Sequence, residues 1–89
     1  MEAGKLYSIQ YTESAARFLR ELDSRIRIRI STRIAALAQN PFPPGNRKLK
    51  GAERAFRIRI GDYRVVYDVL EDVVVVLVLR IGHRKDVYR

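Results

Sequence analysis

The chain contains no cysteine, which excludes disulfides, thiolate nucleophiles and cysteine-based zinc sites together. It also lacks a long apolar run. The longest, Val73 to Leu79, is far too short to cross a bilayer, and no early stretch resembles a signal peptide. Histidine occurs once, at position 83. Acidic residues are scarce beside basic ones, 10 against 18, which leaves a net charge of +8 and a pI near 10.4. These absences predict a soluble cytoplasmic protein with no membrane partner. The charge predicts a polyanionic one: nucleic acid, ribosome, an acidic protein or anionic lipid. The plain alternative is a basic surface kept for solubility alone.

What is present suits one folded domain over residues 1–89. That length provides one modest core and not two. A hydrophobic fraction of 47% supports folding despite 31% charged residues. No internal repeat or low-complexity tail is visible.

The stretch KLYSIQY, Lys5 to Tyr11, alternates Tyr7, Ile9 and Tyr11 with Ser8 and Gln10, the pattern of a half-buried strand. Thr12 offers an N-cap, and Ala15, Phe18, Leu19 and Leu22 follow at helical spacing, so a first helix runs to about Asp23. A second, capped by Ser24, continues until Asn40-Pro41 stops it. Its opening RIRIRI alternates like a strand, but the continuation decides. Ile26, Ile30, Ile34 and Leu37 fall within about 80° of one another on a helical wheel, with Ile28 nearly opposite. NPFPPGN, Asn40 to Asn46, is a loop by its prolines and glycine.

From Phe56 the period changes to two. Phe56–Ile60, Tyr63–Leu70 and Val73–Ile81 read as three strands joined by two-residue turns at Gly61-Asp62 and Glu71-Asp72. The unalternating VVVVLVL suits a central strand covered on both faces. The whole pattern predicts an α+β fold of order β-α-α-β-β-β: a twisted, mostly antiparallel four-stranded sheet with a helical hairpin on one face.

Two-residue turns set a register in which Ile60 opposes Tyr63, Arg59 opposes Arg64, and Ile58 opposes Val65. Residues so opposed share a face. One face then carries Phe56, Ile58, Ile60, Tyr63, Val65, Tyr67, Val74, Val76 and Val78 toward the helices. The other carries Arg57, Arg59 and Arg64 beside Val66, Leu77 and Leu79. Arg59 facing Arg64 is unfavourable by up to about 1 kcal/mol unless an anion or carboxylate lies between them, and guanidinium forks suit phosphate. Surface arginines bathed in solvent, or balanced by Glu53 or Asp68, are the alternative.

The third strand delivers Gly82 to Tyr88 near Arg64 and Arg59, and with it His83, which can exchange protons near neutrality where arginine cannot. Basic strands, one imidazole and the aromatic Tyr88 suit metal-free RNA cleavage. In that reaction a base removes the 2′-OH proton, cations stabilise the charge on phosphorus, and an acid protonates the leaving 5′ oxygen. Tyr88 stacks on a base.

KLKG at Lys48 to Gly51, FRIRIGDYRVVYDV at Phe56 to Val69 and IGHRKDVYR at Ile81 to Arg89 resemble the RelE branch of the RelE/ParE toxin superfamily of type II toxin–antitoxin modules. The resemblance implies the microbial-RNase-like fold and a metal-independent endoribonuclease, needing no cofactor, that cuts mRNA in the ribosomal A site and arrests growth. It implies a cognate antitoxin in a higher-order heteromer, and a monomeric free toxin. It places the site on Arg57, Arg59, Arg64, Arg84 and Tyr88, with His83 as acid or base. Arg47, Lys48, Lys50, Arg54 and Lys85 are then expected to contact RNA or the ribosome. Some members carry lysines where Arg57 and Arg59 stand here, and arginine is no base. Two other readings compete: a ParE-like inhibitor of DNA gyrase, and a non-catalytic module that binds RNA with steep salt dependence.

Overall fold

A computed structural model of the protein describes residues 6–49 and 55–84. The chain begins with strand β1 (Ser8–Tyr11), helix α1 (Glu13–Arg20) and helix α2 (Ser24–Ala35), which tightens into a 3₁₀ turn over Ala36–Ala38. Strands β2 (Arg47–Lys48), β3 (Ala55–Ile60), β4 (Tyr63–Leu70) and β5 (Val75–His83) follow. They form one sheet in the order β1-β5-β4-β3-β2, antiparallel except for the parallel β1–β5 pair. Among the described residues the sheet therefore has five strands, not four. Arg47 and Lys48, which directly follow the expected loop of Asn40 to Asn46, pair with Arg57 and Phe56 to make the short fifth.

The helix ends follow from local chemistry. Thr12 caps α1 as expected, its hydroxyl accepting from the Ala15 amide at 3.2 Å. It also donates to the carbonyl of Leu79 at 2.7 Å, which ties the helix start to β5. The cap of α2 is Asp23 rather than Ser24. Its carboxylate accepts from the Arg25 amide, and a carboxylate at a helix N-terminus gains from the helix dipole as well. The RIRIRI stretch is helical, with Ile30, Ile34 and Leu37 buried and Ile28 exposed.

These residues meet Ile58, Ile60, Val65, Tyr67, Val69, Val76, Val78 and Ile81 in one core. Each such aliphatic side chain contributes about 1.5–3 kcal/mol on burial. Tyr67 lies fully buried, its hydroxyl donating to the carbonyl of Pro41 at 2.7 Å, so the proline-rich loop is fastened to the sheet.

The first hairpin has the expected register throughout. Its turn needs Gly61, which has φ of +61° at the first central position, the requirement of a type II′ turn. The second hairpin departs from expectation in two ways. Leu70 pairs with Val75 across a four-residue turn, because Glu-Asp offers no residue suited to a primed two-residue turn. Val74 is therefore in that turn, at φ +57°, and not on the helix-facing side. Further on, Val66 pairs with Arg80 but Tyr67 with Val78, so Leu79 is an extra, bulged residue. A bulge reverses the alternation beyond it. Finally, β5 is interior but β4 is the middle strand.

Candidate phosphate-binding face

The sheet's second face, away from the helices, is assembled from the register. Across β2, β3, β4 and β5 one row reads Arg47, Arg57, Val66 and Arg80. The next row reads Arg59, Arg64 and Gly82. Arg84 follows Gly82 by two residues, and its amide donates to the carbonyl of Asp62 at 2.8 Å, which holds it beside the β3–β4 turn. Five arginines from three strands and the segment after β5 thus join Arg64 on one surface.

Arg80 is the member that sequence reasoning missed. Strict alternation from Val76 and Val78 would send it toward the helices. The bulge at Leu79 sends it to the arginine face and puts Ile81 into the core instead. A run of apolar residues carries no mark of where it bulges, so the only available signal was the charge itself, which the core would reject.

Arg64 is the focus of the face. It was expected on an open surface, yet only 5% of it is exposed, and Val66 beside it only 3%. Gly82, directly opposite Arg64, is also buried. Desolvation presses the Arg64 guanidinium below its ordinary pKa, and the charges of Arg59, Arg57 and Arg84 press it further, while Asp62 works against them. It stays cationic at physiological pH, since an arginine starts above 12. Three guanidinium groups close enough to press on the buried Arg64 make a site whose electrostatic energy falls when an anion enters.

His83 does not join this cluster. It pairs with Tyr63, and the two rings meet edge to face with centroids 5.6 Å apart. Tyr63 in turn touches Phe18 of α1. The imidazole is thus on the side of the helices, and the expectation that it stands among the arginines is corrected. The cause is again the bulge, which decides the side on which each residue after Leu79 emerges. Of the remaining expected contacts, Arg47 is on the arginine face, whereas Lys48 pairs with Phe56 and so belongs to the other side at the exposed sheet edge. Lys50, Arg54, Lys85 and Tyr88 lie outside the described residues. Among the described residues no group of three or more His, Cys, Asp or Glu could hold a metal ion, and no helix is long and apolar enough to cross a membrane.

Comparison with known proteins bears on the family and the fold. Residues 9–88 match the family described as ParE toxin of type II toxin–antitoxin system, parDE. The toxin RelG of Mycobacterium tuberculosis is 30% identical over 84 residues, covering 93% of this chain and 97% of RelG. The mRNA interferase toxin RelE of Escherichia coli is 30% identical over 81 residues, covering 89% of this chain and 84% of RelE. A solved chain from the toxin–antitoxin complex RelBE2 of Mycobacterium tuberculosis superimposes with a TM-score of 0.79 at 27% identity, covering 92% of this chain and 95% of that one.

Proposed function

Because this chain belongs to the RelE/ParE superfamily of type II toxins, we propose that it is an endoribonuclease of the RelE kind, cutting mRNA on the ribosome and held inactive by a cognate antitoxin. The observation that carries this reading is the arginine face: Arg57, Arg59 and Arg84 within electrostatic reach of the desolvated Arg64. A relative is named an mRNA interferase, and RelE-type chains have been solved in complex with RelB antitoxins, which supports both halves.

The chemistry follows from the groups. Attack of the 2′ oxygen on the adjacent phosphorus forms the P–O2′ bond as the P–O5′ bond breaks, with the 2′-OH proton lost to water and the leaving 5′ oxygen protonated from it. In passing it places additional negative charge on the non-bridging oxygens. Donors already assembled where that charge grows stabilise the transition state without reorganising. Arg64, fixed by burial, is the central donor, and the more exposed Arg59 and Arg84 close on the phosphate from either side. Arg57 and Arg80, on the neighbouring row, hold the flanking phosphates of a single strand and fix its register. Alignment of the 2′ oxygen, phosphorus and 5′ oxygen is the second contribution. Arginine does not take the 2′-OH proton, so on this reading the described residues supply charge and position, and Tyr88 orients the nucleotide.

Incubation with programmed ribosomes and mapping of 5′ ends by primer extension tests the proposal. Cuts confined to A-site codons are expected, and intact message at equimolar protein would refute it. The family match to ParE toxins makes DNA supercoiling by gyrase the companion assay: inhibition there, with message intact, would transfer the chain to that activity.

A further inference from the structure

The sheet's second face continues beyond the two arginine rows. Its next row reads Ala55, Asp68, Leu77 and Gln10, across β3, β4, β5 and β1 in turn. Asp68 stands four residues beyond Arg64 on β4, about 14 Å along the strand, with the row of Arg57 and Arg80 between them. It is the one acidic residue in these three rows. Asp68 is half-buried, and its Oδ1 is buried without a hydrogen-bond partner among the described residues. Buried acceptors are nearly always paired, so this oxygen marks a place where a donor belongs. Leu77 beside it is half-buried and outside the core, which makes an apolar shelf. Gln10, on the far side of that shelf, is exposed, and its amide can both donate and accept. Asp68 and Gln10 thus flank Leu77 across two strand spacings, about 10 Å.

This row repels what the arginines attract. A carboxylate rejects phosphate by charge. Along a strand held at Arg64 and then at Arg57 and Arg80, the group that meets Asp68 is therefore a base. Bases splayed from a single strand rest on aromatic or apolar side chains and are read along their edges. An ionised carboxylate only accepts, through two oxygens side by side, and so fits an edge with two adjacent donors. Guanine has that edge, its N1–H beside the N2 amino group. Adenine and cytosine set a ring-nitrogen lone pair beside their amino group, and uracil sets its N3–H between two carbonyls. Each of these turns an acceptor toward the carboxylate. The χ2 torsion of aspartate is broad, and turning about it brings the buried oxygen up beside its twin to meet the donor pair. On the opposite edge of guanine, N7 accepts from the Gln10 amide.

We infer that Asp68, Leu77 and Gln10 form a guanine-selective subsite for the RNA strand, two nucleotides from the phosphate held at Arg64. One nucleotide then falls to each row of the sheet, phosphates on the two arginine rows and a base on the third.

The inference deepens the nuclease proposal and rests on its RNA strand, but its test reads binding alone. Pentamers of 2′-O-methyl RNA, which have no attacking hydroxyl, carry guanine, inosine, adenine or cytosine at the centre of a uridylate run. They are titrated into ¹⁵N-labelled protein without ribosomes, beside guanosine monophosphate. The guanine pentamer is expected to bind at least about tenfold tighter than the adenine and cytosine pentamers, with inosine, which lacks the N2 amine, between them. It is also expected to shift the amides of Gln10, Asp68 and Leu77. Asp68→Asn, which presents a donor beside an acceptor, is expected to abolish the guanine preference. Gln10→Glu is expected to weaken the guanine pentamer about tenfold by setting a second carboxylate against N7; Gln10 is exposed, so this variant folds whatever Asp68→Asn does. Equal affinity for all the pentamers, or a guanine preference that survives both substitutions, would overturn the inference. So would guanosine monophosphate binding as tightly as the pentamer, which would make the row a free-nucleotide site. Guanine preference in binding with message left intact on programmed ribosomes would strike the nuclease proposal and leave the subsite standing.

Discussion

At the scale of single residues, Arg64 and His83 exchange the parts that their chemistry suggests. The imidazole has the pKa for proton transfer, but its ring rests against Tyr63 on the far side of the sheet from the guanidinium groups. His83→Gln should leave cleavage within about threefold of the parent and cost about 1 kcal/mol through the lost aromatic pair. A fall of a thousandfold in single-turnover rate, with an unchanged melting temperature, would return His83 to acid–base duty. Tyr67 gives a second prediction. Burial pushes its hydroxyl pKa up to about 12, partly offset by the Asn46 side chain. Since the folded value lies above the unfolded value of about 10, the neutral hydroxyl stabilises the fold fully below pH 10, and this is lost as pH rises toward 12. Tyr67→Phe should lower stability at pH 7 by about 1–2 kcal/mol, because the Pro41 carbonyl loses its donor. It should also flatten the decline above pH 10, where urea unfolding at pH 7, 10 and 11 would show the two curves converging.

At the scale of elements, the legible parts were those governed by period and by turn chemistry. The helical continuation after RIRIRI and the Gly61 hairpin are both local, and the whole β3–β4 register followed from them. Helix caps were legible to within a residue, Asp23 competing with Ser24 for the same orphan amides. The bulge at Leu79 and the four-residue turn before Val75 were not legible, for one physical reason. In VVVVLVLRI every side chain is apolar up to Arg80, so hydrophobicity assigns no side, and the register is set by contacts distant in sequence, such as Thr12 bonding the Leu79 carbonyl. The site inherited that uncertainty. Arginines on β3 and β4 were assigned to the correct face, and those after Leu79 could be assigned only by the structure. Strain at Val74 follows from the same turn, since a β-branched residue at φ +57° is disfavoured by about 1–2 kcal/mol. Val74→Asn should therefore raise stability by about 1 kcal/mol in urea unfolding, and a loss of stability would show that the packing of the valine outweighs its strain.

At the scale of the whole molecule, a net charge of +8 goes with a sheet face that gathers Arg47, Arg57, Arg59, Arg64, Arg80 and Arg84. Arg57 and Arg59 of that face also border a cleft of about 320 Å³ with Arg33 and Arg47. Of these claims, the one on which the function rests is that Arg64, buried among three other guanidinium groups, stabilises the phosphorane-like transition state. The most direct measurement is the single-turnover rate of message cleavage on programmed ribosomes for the parent protein and Arg64→Ala, with the exposed Arg59→Ala as a companion whose folding is not in question. The account predicts a loss of about 10²–10³ for Arg64→Ala, a measurable loss for Arg59→Ala, and a native circular-dichroism spectrum for both. Rates within threefold of the parent in both folded variants would contradict it.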